Sequence, residues 1–97
     1  MKCDIIVPIY NTSDDLLIRC LSSIAMQSII KDIHVIVVDD CSDKVDSSSV
    51  INSFKNLINI DNIKLDENVG SGKARNIGYS RGQNEYVLFC DSDDSYS

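Results

Sequence analysis

Two runs of β-branched residues constrain this chain more than any other feature in it. "CDIIVPIYN" and "IHVIVVDD" are apolar at consecutive positions, where a strand with one wet face would alternate. Continuous apolarity over so short a length fits a strand buried on both faces, as the inner strands of a parallel sheet are. Such a sheet needs helices to cover it, and the segment after the first run supplies one. In "TSDDLLIRCLSSIAMQ", Thr12 or Ser13 can cap and Asp14 and Asp15 suit the first-turn dipole. Leu17, Cys20, Leu21, Ile24 and Ser28 then fall on one helical face.

The same alternation continues to the end of the chain. After the second strand, at 33–40, "SSVINSFKNLI" (48–58) predicts a helix with Val50, Ile51, Phe54, Leu57 and Ile58 turned inward. "NIKLDE" (62–67) is a weaker third strand. "NVGSGKARNIGYSRG" follows as a helix capped by Ser71, with Ala74 and Ile77 inside and Gly82 as its stop. "EYVLFCD" is the fourth strand. Short connections between alternating elements predict an α/β fold: a parallel sheet of about four strands flanked by about three helices, a Rossmann-like half of a doubly wound sheet.

Length and composition agree with one small domain and exclude several classes of function. The 97 residues are 43% hydrophobic and 25% charged, without repeats or low-complexity tracts. A net charge of −6 argues against a nucleic-acid partner, which needs a basic patch. No apolar run approaches a membrane span, and Met1-Lys2 leads into a strand rather than a signal sequence, so a cytoplasmic location is expected. The four cysteines (Cys3, Cys20, Cys41, Cys90) show no C-x-x-C pair and read as reduced, half-buried thiols. His34, the lone histidine, sits within strand two and reads as a packing residue. Ser47 to Ser49 read as a helix entry rather than a nucleophile, with no base placed beside them.

Seven of the fifteen acidic residues lie in two places, 39–46 and 91–94. Ligands of open parallel sheets bind at the carboxyl ends of the strands, near the switch in strand order. Strand one ends in Pro8-Ile9-Tyr10-Asn11, strand two in Asp39-Asp40, and strand four in Asp91-Ser92-Asp93-Asp94. If strand one lies between strands two and four, these ends line one crevice. Carboxylates without His or Cys ligands suit a hard cation, Mn²⁺ or Mg²⁺, held together with substrate phosphates. Lys73 or Arg75, at the start of the third helix, would add positive charge beside a helix N-terminus.

Two familiar phosphate motifs are absent. A P-loop would need Gly at 67, where Glu67 stands, and Ser or Thr after Lys73, where Ala74 stands. The dinucleotide fingerprint fits Gly70 and Gly72 but meets Arg75 at its third glycine. A receiver-type phosphoacceptor domain also gathers acids at strand ends, but expects its acidic pair after the first strand.

The ordered set "VPIYN", "VVDDCS", "NVGSGKARNIG" and "YVLFCDSDD" closely resembles the start of family 2 glycosyltransferases of the GT-A fold. The resemblance covers residues 3 to 94 and departs from the usual pattern at Cys41, where Gly or Asn is common. It implies that residues 1–97 are the nucleotide-binding half of a truncated GT-A domain, acting on a nucleotide-sugar donor, with UDP-sugar favoured. Pro8 and Tyr10 would wall the base, Asp40 would accept its N–H, and Asp39 would support that turn. Arg75 would lie near the diphosphate or donor sugar. Asp91-Ser92-Asp93 is the implied D-x-D motif, with Asp93 and Asp91 on the metal, and Asp91 and Ser92 reaching the ribose or sugar. Asp94 would stand behind them.

The implied reaction is an inverting transfer to a saccharide or lipid-linked glycan acceptor. Its catalytic base is expected downstream of Asp94, so the 97 residues alone are expected to be inactive. In the full-length protein the domain could sit at the inner face of the membrane. An exposed edge on strand four, with Val87 and Phe89, is expected to favour a homodimer. A non-catalytic nucleotide- or metal-binding module, or a self-associating one, is the alternative.

Overall fold

The computed structural model describes residues 3–26, 33–43, 46–82 and 86–89. They form β1 (Cys3–Ile9), α1 (Asp14–Met26), β2 (Ile33–Asp39), α2 (Ser48–Phe54), β3 (Asn59–Lys64), α3 (Ser71–Arg81) and β4 (Tyr86–Phe89). The strands pair in parallel in the order β3-β2-β1-β4. The expected α/β architecture is present, and β1 lies between β2 and β4.

Strand alternation divides the core in two. Ile5, Val7 and Ile9 of β1 and Val35 and Val37 of β2 face α1 and α2, where they pack with Leu17, Leu21, Ile24, Val50, Ile51 and Phe54. Ile6, Ile36 and Val38 face the other way and meet Ala74 of α3. The chain steps from β1 to β2 to β3 in one direction and then returns past both to β4. Crossovers of one hand therefore place α1 and α2 on one face and α3 on the other. Ser13 caps α1, accepting the Leu16 N–H at 3.3 Å. No described helix is long and apolar enough to cross a membrane.

The second half of the chain departs from the sequence pattern in its details. α2 stops at Phe54 and a turn follows, so Leu57, expected inside, is 66% exposed. Ile58 is buried because the chain there enters β3, which begins at Asn59 and ends at Lys64 rather than spanning 62–67. Register explains the shift: Asn59 to Lys64 lie opposite His34 to Asp39. That register sends Ile60 to the α1–α2 side and Ile63 to the α3 side. Ahead of α2, the Ser48 N–H donates to Asp46 Oδ1 at 3.0 Å. This bond is the main reason the Asp46 carboxyl lies below its ordinary 3.8; the Ser48 side chain and Lys64 add smaller effects. Its contribution is present above the ordinary value and is lost as the pH falls through the lowered one.

α3 meets the sheet through Ala74, as expected, but with Gly78 rather than Ile77 beside it. Ser71 is its first helical residue, and Gly70 is the cap, with φ 87°. Ala74 and Gly78 are buried while Ile77 is half-buried, and Tyr79 is 57% exposed on the outer side. A Cβ at Gly78 would collide with the Ile6 side chain and stand 3.1 Å from Val38 Cγ2. The helix rests on the sheet through these two small residues, one turn apart.

His34 bridges two carboxylates near the amino ends of the strands, away from the expected crevice. Its Nε2 is 2.6 Å from Asp61 Oδ2, and its Nδ1 is 3.5 Å from Oδ1 of the buried Asp4. The described cysteines Cys3, Cys20 and Cys41 are half-buried thiols.

Gly78→Ala is expected to destabilise the fold by about 1–3 kcal/mol through overpacking. A helix-propensity gain of about 1 kcal/mol offsets part of that cost, leaving a net loss of up to about 2 kcal/mol. A urea midpoint equal to or above that of the wild type would show that α3 does not need this close approach.

Candidate functional site

The strand order reverses between β1 and β4, which puts the carboxyl end of β1 at the switch point of the sheet. Three segments meet there: the residues after β1, those after β2, and the 65–70 loop before α3. The Asp40 N–H donates to Ile9 O at 2.8 Å, extending the β1–β2 ladder beyond the strands. The Asn11 N–H donates to Ser42 Oγ at 2.8 Å. Asn11 Nδ2 donates to Asp43 Oδ1 at 3.0 Å, and the Asp43 N–H returns a bond to Asn11 Oδ1 at 3.1 Å. Asn11 has φ 49°, a left-handed conformation that Asn tolerates better than most residues. From the other side, the Leu65 N–H donates to Asp39 O at 2.9 Å.

The two adjacent aspartates do different work because neighbouring side chains leave a strand in opposite directions. Asp39, 4% exposed, accepts the Ser42 N–H on Oδ1 at 2.9 Å and so bends the chain after β2. Asp40 has no exposed surface. Its Oδ1 accepts the Val69 N–H at 2.6 Å and its Oδ2 the Gly70 N–H at 2.8 Å. Its backbone oxygen also accepts from Asn68 Nδ2 at 3.3 Å. Hydrogen bonds to an ionised carboxylate are roughly twice as strong as neutral ones, and they offset the cost of burying the charge.

The remaining expected residues fall in several places. Pro8 is buried within β1, and Tyr10, just past the end of the strand, is half-buried. Ile9 turns its carbonyl toward β2, so the backbone of Pro8 faces the opposite side. Its missing N–H therefore leaves the β1–β2 ladder intact. Arg75 is half-buried on the first turns of α3. With Gly72, Lys73 and Asn76 it lines an open hollow of about 700 Å³. Asp91, Ser92, Asp93 and Asp94 lie outside the described residues.

Among the described residues, no group of three or more His, Cys, Asp or Glu side chains could hold a metal ion. Asp39 and Asp40 point their carboxylates at backbone N–H groups, and the expected metal ligands Asp91 and Asp93 lie outside the described residues. The sequence pattern put Asn11 at the end of strand one and Asp43 in the acidic stretch 39–46 but gave neither a role, and it did not single out Ser42, Asn68 or Gly70 as site residues.

Cys41 occupies the turn where the sequence departs from its expected pattern, and its φ of 61° gives the reason that Gly or Asn suits the position. Its Sγ donates weakly to Asp66 O at 3.5 Å. Cys41→Gly is expected to relieve backbone strain of about 1 kcal/mol and raise the melting temperature by about 4–8 °C. A lower melting temperature would mean that the thiol contact outweighs the strain.

The profile of "Glycosyl transferase family 2" matches residues 4–97. The poly(ribitol-phosphate) beta-N-acetylglucosaminyltransferase TarS of Staphylococcus aureus is 38% identical over 96 residues, which are 97% of this chain and 16% of that protein. The crystal structure of S. aureus TarS 1-349 in complex with UDP-GlcNAc overlays with a TM-score of 0.84 at 35% identity, covering 96% of this chain and 27% of that one. A mannosyltransferase from Pyrobaculum calidifontis, in complex with GDP-Man and Mn²⁺, overlays with a TM-score of 0.82 at 25% identity, covering 95% and 27%. The chain thus spans about one sixth of the length of the curated relative it matches, 16%. With the profile matched from the first strand onward and the crevice at the expected strand ends, the chain belongs to glycosyl transferase family 2.

Proposed function

We propose that these residues form the donor-binding part of a glycosyltransferase that moves a sugar from a nucleotide-diphosphate donor to an acceptor hydroxyl. The observation that carries this reading is the meeting of three strand-end segments at the β1–β4 switch point, beside the cationic first turns of α3. A UDP-sugar is favoured because the overlaid TarS structure holds UDP-GlcNAc. We expect the acceptor to be a saccharide or lipid-linked glycan, whereas the name of TarS gives poly(ribitol-phosphate) as the acceptor of that protein.

In the proposed reaction the acceptor oxygen bonds to the anomeric carbon as the bond from that carbon to the diphosphate breaks, inverting the configuration. Lys73 and Arg75 oppose the negative charge that grows on the leaving diphosphate, an interaction that commonly dominates such catalysis. Tyr10, half-buried just past the end of β1, would pack against the base. Asp93 with Asp91 would hold Mn²⁺ or Mg²⁺, which when bound neutralises diphosphate charge. The acceptor proton passes to a base that we expect downstream of Asp94.

Calorimetric titration with UDP is expected to show binding that strengthens with Mn²⁺, and that loses this metal dependence in Asp93→Ala. Arg75→Ala is expected to weaken UDP by about ten-fold, the loss of one charge-assisted contact. No UDP binding by a chain with native circular dichroism would rule out an autonomous donor site.

We also propose that the outer edge of β4, the last strand in the order β3-β2-β1-β4 among the described residues, pairs with a second copy of this chain. Sedimentation is expected to show a dimer at high concentration, and a single monomeric species there would exclude that contact.

A further inference from the structure

Tyr10, expected against the base, lies one residue past the end of the β1–β2 register at Ile9 and Asp39, so strand pairing alone does not fix it. The backbone on both sides of it is instead tied to the turn after β2. On one side Ile9 O accepts the Asp40 N–H at 2.8 Å. On the other the Asn11 N–H donates to Ser42 Oγ at 2.8 Å. The Asn11 side chain then closes a two-way pair: its Nδ2 donates to Asp43 Oδ1 at 3.0 Å, and its Oδ1 accepts the Asp43 N–H at 3.1 Å. An amide can give and take at once, whereas an ionised carboxylate only accepts. The turn that offers these partners is braced by Asp39, whose Oδ1 accepts the Ser42 N–H at 2.9 Å.

We propose that Asn11 and Asp43 are positioning residues for the base of the donor: their pair fixes Tyr10 relative to Asp40, and so acts on the base through Tyr10 rather than by contact. This inference rests on the donor-binding reading and names the part of the donor that the pair serves. Asn11 adopts φ 49°, so the chain turns directly after Tyr10, and the bonds to Ser42 and Asp43 hold that turn. The segments so joined come from two strands, with partners 31 and 32 positions apart in the chain. A wall of the base site that is fixed before the ligand arrives leaves less ordering cost to binding.

The test measures binding of UDP and of inorganic pyrophosphate by NMR titration. It compares the wild type, Asn11→Gly, and an exchange variant that combines Asn11→Asp with Asp43→Asn. Glycine accepts the left-handed backbone at 11 and changes no charge, so it removes the two side-chain bonds without adding strain. The exchange variant keeps the net charge and puts the carboxylate at 11, where it can accept from both the backbone N–H and the new amide at 43. UDP is expected to weaken by about ten-fold in Asn11→Gly, while pyrophosphate, which has no base, is unchanged. The exchange variant is expected to bind UDP at close to the wild-type affinity, because the pair is rebuilt with its partners reversed.

Equal weakening of UDP and pyrophosphate in Asn11→Gly would overturn the proposal, because the pair would then support the site as a whole. Unchanged UDP binding in that variant would overturn it too. So would an exchange variant no better than Asn11→Gly, which would mean that the original amide or carboxylate meets the ligand directly. If Asn11→Gly does not fold, Asp43→Ala breaks the pair from its exposed side and removes a negative charge, a change that favours anions. Weaker UDP with pyrophosphate undiminished is then the expected result, and a loss shared by both ligands would overturn the proposal. A wild type that binds neither ligand would instead defeat the donor reading, an outcome separate from any of these.

Discussion

An inner strand of a parallel sheet has no wet face, and β1 and β2 meet that condition with Ile6, Val7, Val35, Val37 and Val38 withdrawn from solvent. Covering both faces requires helices on both, and the chain achieves this by stepping outward to β3 and then back across to β4. The reversal creates the switch point, and the parallel arrangement puts the carboxyl ends of the strands on one side of the molecule. The crevice is therefore a consequence of how the apolar strands are covered, before any particular side chain in it is considered.

What organises the crevice is the pairing of backbone N–H groups with buried carboxylates. Asp39 and Asp40 leave the end of β2 in opposite directions and serve different loops, one bending its own turn and the other holding the entry to α3. Asn11 and Asp43 tie the residues after β1 to those after β2 by bonds in both directions. Acidic side chains thus hold the framework of the crevice, while Lys73 and Arg75 remain beside an open hollow on the helix. A framework fixed by anions next to an accessible cationic turn is a reasonable arrangement for an anionic ligand.

The sequence was legible where a signal ran long. β1, β2 and α1 have continuous apolarity or a clear helical period, and their buried residues match the pattern. α2 and β3 were blurred because Leu57 and Ile58 continue the apolar helical pattern across a turn, and because β3 is an edge strand with one well-buried residue, Ile60. Gly78 escaped notice because a glycine carries no hydrophobic signal; its importance lies in the space denied to a side chain by Ile6 and Val38. The Asp91–Asp93 motif is legible in the sequence alone.

By itself the sequence determined the alternation of strand and helix, the parallel sheet and the four ordered motifs of family 2 glycosyltransferases. These depend on local periodicity and on residue order, which a linear chain displays directly. Only the tertiary structure decided which aspartate faces which loop and which side of α3 meets the sheet. It also showed that the carboxylate of Asp40 closes on N–H groups 29 and 30 residues further along the chain. Those choices depend on strand parity and on the path of the crossovers, so they appear only when distant segments are brought together.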